Sequence, residues 1–271
     1  MVIEVKEYHF NVQCRPNEGK PLICFLHGFM GSAEDWCSIS EIFSRDYSTL
    51  SIDLPGHGET KVEPFTPESF RMEPIALAII ELIQKLGYSE TNLVGYSMGG
   101  RLALYMALMY PKVIKRCALE SASPGLKTEA EQLARQKHDE SLAQELLSTN
   151  FSNFLEKWYN QPLFKSLKTL PTFSELFEKR LKNNPEALAV VLQKMGTGVQ
   201  PALWKELKNA TNPILALVGE KDSKFVNIGK KMSEHSALIH AQSVANAGHL
   251  IHVENQSEFI NRLYQFFDKT V

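Results

Sequence analysis

The stretch Asn92-Leu93-Val94-Gly95-Tyr96-Ser97-Met98-Gly99-Gly100-Arg101 decides the fold. Its first residues form a short apolar run of the kind that makes a buried strand. Its last residues open a helical pattern that extends from Arg101 to Tyr110. Between the two lies Gly-x-Ser-x-Gly, the signature of a sharp strand-to-helix turn that lifts a serine hydroxyl clear of a sheet. Glycines flank the serine because the turn is tight and other chain segments pass close to it. The pentapeptide alone is only moderately specific. The strand before it and the helix after it make it a nucleophile elbow, with Ser97 Oγ as the reactive atom at one end of a sheet.

Outward from the elbow, strand-like and helix-like segments alternate. Pro21 to Leu26 is a buried-strand run that ends in His27-Gly28. Thr49 to Leu54 is another, ending in Pro55-Gly56-His57-Gly58. Glu68 to Leu86 has helical spacing and stops at Gly87. Cys117 to Glu120, Ile214 to Val218 and Leu238 to Val244 are further strands, and Glu254 to Thr270 is a closing helix. Short apolar strands separated by helices predict an α/β chain with a mostly parallel sheet covered on both faces. From Leu126 to Gly198 the alternation stops and the spacing is helical, as at Phe151, Phe154, Leu155 and Trp158. Pro171 and Pro185 divide that stretch into several helices. The expected organisation is a core of residues 1–125 and 199–271 with an inserted helical cap of residues 126–198.

Composition narrows the function classes. An apolar fraction of 44% is ordinary for a globular chain, and 271 residues suffice for one large α/β domain. A formal net charge of -2, with no basic block, gives no reason to expect a nucleic-acid partner. Cys14, Cys24, Cys37 and Cys117 are too widely spaced for a zinc or redox motif and read as reduced thiols of a cytoplasmic protein. No apolar run is long enough to span a bilayer, and Glu4 and Glu7 interrupt any signal-like leader. No metal site, nucleotide site or cofactor is expected. Whether the chain is a monomer or a homo-oligomer stays open.

A serine nucleophile needs a base and a group to orient it. Around an elbow of this kind the partners follow in the order serine, acid, histidine. Beyond the cap lie His235, His240, His249 and His252. His249 follows Ala247-Gly248 in the loop after the last strand, at the sheet end where Ser97 emerges. His252, three residues on, is expected to pack or hydrogen-bond structurally. Glu220 and Asp222 both lie just past the strand ending at Val218. Asp222 is deeper in its loop and is the chosen acid, although Asp-Ser-Lys-Phe also fits a helix N-cap. An oxyanion hole needs backbone N–H groups. Met98, at a helix N-terminus, is one, and Phe29, in the loop after the first strand, is the other.

Arg101 lies four residues after Ser97 on the same helix, so both face similar directions. At that depth a guanidinium needs an anion, either an internal carboxylate such as Glu120 or an anionic substrate. Arg135 reads either as a solvated helix residue or as a cap contact. Trp158 reads either as packing or as a ring facing a ligand.

Together these segments resemble the α/β-hydrolase superfamily over the whole chain: the elbow, the His-Gly-Phe loop, and Asp53-Leu54-Pro55-Gly56-His57-Gly58. More narrowly, the chain resembles the 2-succinyl-6-hydroxy-2,4-cyclohexadiene-1-carboxylate synthase family of menaquinone biosynthesis. The narrower likeness rests on Gly-Tyr-Ser-Met-Gly-Gly-Arg at 95–101, Ser123-Pro124-Gly125-Leu126, and Trp158-Tyr159-Asn160-Gln161-Pro162. It rests also on residues 219–225, Gly-Glu-Lys-Asp-Ser-Lys-Phe, and on Ala247-Gly248-His249 with the following His252-Val253-Glu254-Asn255. The resemblance implies a lyase that removes pyruvate from an enolpyruvyl cyclohexene carrying three carboxylates. It implies Arg101 and Arg135 as substrate-binding arginines, and Tyr96, Trp158 and Phe29 as pocket-lining residues. A third basic contact is expected from the cap, with Arg180 the best match. A serine hydrolase of esters, thioesters or carbon–carbon bonds, and a non-catalytic binding protein, are the competing functions.

Overall fold

The computed structural model describes residues 1–268. Its strands are β1 (Val2–Val5), β2 (Tyr8–Arg15), β3 (Leu22–Leu26), β4 (Ser48–Ile52), β5 (Lys61–Val62), β6 (Thr91–Tyr96), β7 (Ile114–Glu120), β8 (Ile214–Gly219) and β9 (Ile239–Val244). Among the described residues they form one sheet in the order β1-β2-β4-β3-β6-β7-β8-β9, with β5 paired to β2. Pairing is antiparallel around β2 and parallel at every step from β4 to β9. The helices are α1 (Cys37–Phe43), α2 (Met72–Lys85), α3 (Met98–Met109), α4 (Glu129–Ser148), α5 (Phe151–Tyr159), α6 (Phe173–Arg180), α7 (Pro185–Met195), α8 (Ser223–Ser233), α9 (Ile251–Glu254) and α10 (Gln256–Phe267). None is long and apolar enough to cross a membrane.

Strands β3 (Leu-Ile-Cys-Phe-Leu) and β8 (Ile-Leu-Ala-Leu-Val-Gly) are unbroken apolar runs because both of their faces are covered. Successive residues of a strand point to opposite faces. Leu22, Cys24 and Leu26 of β3 thus join the cluster under α2 and α3. Ile23 and Phe25 join the cluster under α1 and α10. Each such fully buried side chain contributes about 1.5–3 kcal/mol relative to an exposed one.

The β1–β2 hairpin extends the sheet beyond the segments expected from sequence, which began at Pro21. Tyr8, Phe10 and Val12 are buried while His9, Asn11 and Gln13 are half-buried, an alternation of period two that marks a strand covered on one face. The expected helix from Glu68 to Leu86 is divided. A 3-10 turn, Pro67–Phe70, precedes extended Arg71, and α2 begins at Met72. Gly87, at φ 87°, ends it, as left-handed glycines commonly do. The closing helix is also divided, because Asn255 leaves helical geometry and its side chain caps α10. Lys269 and Thr270, at the end of that expected helix, lie outside the described residues.

Between β7 and β8 the chain is helical, from α4 to α7. Thr128 opens α4 with a capping box: its side chain accepts from Glu131 N, and the Glu131 carboxylate accepts from Thr128 N. Pro171 lies just before α6 and Pro185 is the first residue of α7, where a missing N–H costs nothing.

Candidate active site

Ser97 joins β6 to α3 with φ 48° and ψ -103°, a conformation costly for a residue with a Cβ. Close packing of the turn holds it there. A Cβ on Gly95 would lie 2.4 Å from Gly99 O, and one on Gly99 would lie 2.3 Å from Leu26 O. Both positions therefore exclude any side chain. Ser97 N donates to Glu120 O at 2.8 Å, tying the elbow to the neighbouring strand β7.

Two further loops converge on Ser97. Asp222 follows β8 and uses its two carboxylate oxygens separately. Oδ1 accepts from Phe225 N at 3.3 Å and caps α8, while Oδ2 lies 2.7 Å from His249 Nδ1. Capping and orienting the imidazole are thus not alternatives at this residue. The other nitrogen, His249 Nε2, lies 3.3 Å from Ser97 Oγ. With a carboxylate acceptor at Nδ1, the ring keeps its proton there and Nε2 is left to accept. Glu254 braces the histidine loop by accepting from Gly248 N at 2.8 Å and Leu250 N at 3.2 Å. Phe225 covers His249 at a ring separation of 4.8 Å.

Ser97 and His249 border a cavity of about 260 Å³ whose wall also includes Phe29, Met98, Arg101, Arg135 and Trp158. Met98 is the first residue of α3, so its N–H has no carbonyl partner within the helix. Phe29 is the second residue of a turn closed by Gly31 N donating to Gly28 O at 3.0 Å, a bond that leaves the Phe29 N–H out. The Trp158 ring lies 5.3 Å from that of Phe29.

Arg101 is buried, yet among the described residues it makes no ion pair. Its guanidinium donates to Met195 O at 2.9 Å and to Gln200 Oε1 at 3.2 Å, both neutral. Burial, and then the nearby charge of Arg135, push its pKa down to about 10, so it stays charged at neutral pH. Glu120 is not its partner: that carboxylate accepts from His252 N at 3.0 Å and lies 2.8 Å from His252 Nδ1. Arg135 is held through Nε by Asp139 at 2.7 Å.

Two residues expected at the pocket are elsewhere. Arg180 donates to both oxygens of Asp35, at 2.9 and 2.8 Å, and does not line the cavity. Arg180 thus has its charge partner in the protein itself, where Arg101 has none among the described residues. Tyr96 is not part of the wall either. Alternation along β6 sends it, with Val94, to the α1 and α10 face, where its ring lies 5.5 Å from His249 and 5.1 Å from His252.

The wall also holds Phe164, Gln161, Lys224 and Phe225, to which no site role was assigned from sequence. Lys224 and Phe225 fall in the Asp-Ser-Lys-Phe segment, which carried a signal without a role. No sequence pattern points to Phe164, whose ring lies 6.0 Å from His249.

A parallel sheet with an elbow serine, an acid after β8 and a histidine after β9 defines an α/β-hydrolase-fold protein. The sequence profile described as alpha/beta hydrolase fold matches residues 21–256. The chain is 36% identical over 246 residues to the putative 2-succinyl-6-hydroxy-2,4-cyclohexadiene-1-carboxylate synthase of Bacillus subtilis (strain 168), covering 90% of this chain and 89% of that one. The solved structure of MenH from S. aureus superposes with a TM-score of 0.87 at 35% identity, covering 96% and 97% of the two chains. Protein PHYLLO, chloroplastic, of Arabidopsis thaliana is 35% identical over 259 residues; the match covers 90% of this chain but only 15% of that much longer protein. The chain belongs to the 2-succinyl-6-hydroxy-2,4-cyclohexadiene-1-carboxylate synthase family.

Proposed function

We propose that this chain eliminates pyruvate from 2-succinyl-5-enolpyruvyl-6-hydroxy-3-cyclohexene-1-carboxylate, and that Ser97, His249 and Asp222 act as its proton-transfer triad. The observation that carries this reading is one cavity bordered by the Ser97–His249 pair and by Arg101, a buried cation with only neutral partners. A pocket for a neutral ester has no use for such a cation, whereas a substrate with three carboxylates does. Arg135 and Lys224 are further cations in that wall. The insert of residues 126–198 serves as a cap that supplies Arg135 and Trp158.

The reaction follows from the two ring systems. The substrate has a C3–C4 double bond and the product has C2–C3 and C4–C5 double bonds. A proton therefore leaves C2, next to the succinyl carbonyl. The C2–H electron pair becomes the C2–C3 bond, the C3–C4 pair shifts to C4–C5, and the C5–O bond breaks. The leaving enolate of pyruvate takes up a proton. His249 Nε2 draws the proton through or beside Ser97 Oγ, and Asp222 steadies the imidazolium that forms. Negative charge developing on the succinyl oxygen is met by the N–H groups of Phe29 and Met98. No acyl-enzyme is needed, since the same donors serve proton abstraction next to a carbonyl.

The deciding assay is pyruvate release from the enolpyruvyl substrate, set against cleavage of a p-nitrophenyl ester. The wild-type chain should release pyruvate, and Ser97→Ala should lower turnover by about two to four orders of magnitude while still binding substrate. Rapid ester cleavage without pyruvate release would replace the lyase with a serine hydrolase.

A further inference from the structure

We propose that Arg180 and Asn183, at the end of α6 and in the turn after it, are positioning residues that hold the Phe29 N–H in its working direction. This rests on the oxyanion role proposed above for Phe29. The turn from Gly28 to Gly31 contains Met30, fully buried at φ 64°. A non-glycine residue keeps that left-handed geometry only where its surroundings over-determine it. Here two contacts from the inserted helices do so. Asn183 Nδ2 donates to Met30 O at 2.9 Å and to Arg180 O at 3.0 Å. Arg180 grips Asp35 with both terminal nitrogens, a fork geometry that fixes direction as well as distance. Asp35 in turn accepts from Ser32 N at 3.2 Å, and so anchors the chain leaving the turn.

The fit is close. A Cβ on Gly31 would lie 2.6 Å from Asp35 Oδ2, so the carboxylate can approach the turn only because residue 31 is glycine. Burial works against the Arg180 charge, and Asp35 together with Tyr159 more than offsets it, holding the guanidinium pKa above its ordinary value. With Met30 O anchored on one side and Asp35 on the other, the turn keeps the shape that the proposed Phe29 donor needs at the cavity wall. Arg180 thus acts on the reaction through the oxyanion loop, not by touching a substrate carboxylate.

Two readouts test this. The first is amide hydrogen exchange across residues 28–36 in the wild type, Asn183→Ala and Arg180→Gln. Exchange should quicken in both variants. Unchanged exchange would overturn the clamp whatever the activity. The second is the split between kcat and KM for pyruvate release. Losing an oxyanion donor costs about a hundred- to a thousandfold, so misdirecting one should lower kcat by about ten- to a hundredfold, with KM little changed. Asp35→Asn should match Arg180→Gln, and the double variant should be no worse than either. A raised KM with unaltered kcat in Arg180→Gln, with Asn183→Ala silent, would make Arg180 a substrate contact and overturn the proposal. Faster exchange in the variants of a chain whose wild type releases no pyruvate would support the clamp and reject the proposed reaction instead.

Discussion

Three residues apart, His249 and His252 are both buried and both hydrogen-bonded through Nδ1 to a carboxylate, Asp222 at 2.7 Å and Glu120 at 2.8 Å. Their inner halves are nearly the same device. Their outer halves differ. His249 Nε2 reaches Ser97 Oγ at the cavity wall. His252 Nε2 is buried with no partner among the described residues, and its ring lies 4.5 Å from that of Trp36. A histidine–carboxylate pair therefore marks a site for proton transfer only where the second nitrogen faces something that can give or take a proton. The other pair is a strut: Glu120 is the last residue of β7, and it ties that strand to the start of α9.

Removing the rings should break the likeness most sharply. His249→Ala is expected to lower kcat for pyruvate release by about two to four orders of magnitude, the range of general acid–base catalysis, and, because it orphans the buried Asp222 Oδ2, to lower the melting temperature as well. His252→Ala should lower the melting temperature without that loss of turnover. It empties a site packed against Trp36, Tyr96 and Phe259 and leaves one Glu120 oxygen without its donor. The orphaned acceptor alone costs about 1–3 kcal/mol, read as a lower melting temperature, while kcat of the folded fraction stays within a few-fold. If kcat fell as far in folded His252→Ala as in His249→Ala, the two pairs would have to be one device.

A subtler exchange alters only the inner acceptors. In Asp222→Asn, Oδ1 can still cap α8, but the amide now offers a donor to Nδ1. The ring must then carry its proton on Nε2, which can no longer accept from Ser97. In a Ser–His–Asp hydrolase the aspartate is worth about two orders of magnitude less than the histidine. Asp222→Asn should accordingly lose about ten- to a hundredfold in kcat. Glu120→Gln imposes the same change of tautomer on His252, where the outer nitrogen has nothing to lose. Its kcat should stay within about twofold, since partner-neutral hydrogen-bond exchanges are small. Equal losses in the two variants, measured by pyruvate release, would show that tautomer control is not what separates the pairs.

Legibility of the molecule followed the range of its interactions. The elbow was readable because its meaning is local: apolar run, Gly-x-Ser-x-Gly, helix. His249 and Asp222 were readable because each falls in the loop just past a strand whose neighbours fix which end of the sheet it meets. The capping alternative at Asp222 was equally readable, and the structure uses both oxygens. What could not be read depends on distant partners. Arg180 and Asp35 are far apart in the chain, and nothing near either names the other. Tyr96 adjoins Ser97 in sequence, yet strand alternation puts it with Val94 on the α1 and α10 face and out of the cavity wall. Arg101 posed a local question, which anion it meets; the structure answers with two neutral oxygens from residues 195 and 200.

A second pair of histidines sharpens the contrast with the smallest expected effect. His27 and His57 are buried edge to face at 4.9 Å, and among the described residues neither hydrogen-bonds a carboxylate. His27 Nδ1 meets Gly28 O at 2.7 Å, while its Nε2 accepts from Leu54 N at 2.9 Å. Protonating Nε2 would break that second bond. Burial lowers the pKa of both rings below 6.5, most strongly for His57, where the neighbouring His27 adds to the effect. The folded state therefore keeps them neutral while the unfolded chain takes up protons as pH falls below about 6.5. Stability must drop on the acid side, because the unfolded state there binds more protons. Each pKa unit of depression corresponds to about 1.4 kcal/mol at full effect, and in a domain near this size 1 kcal/mol moves the melting temperature by about 2–4 °C. Melting temperature should fall between about pH 7 and pH 5, and His57→Phe, which keeps a ring but cannot titrate, should make that fall shallower. An unchanged slope in His57→Phe would mean that the buried His57 ring is not what makes the fold acid-sensitive.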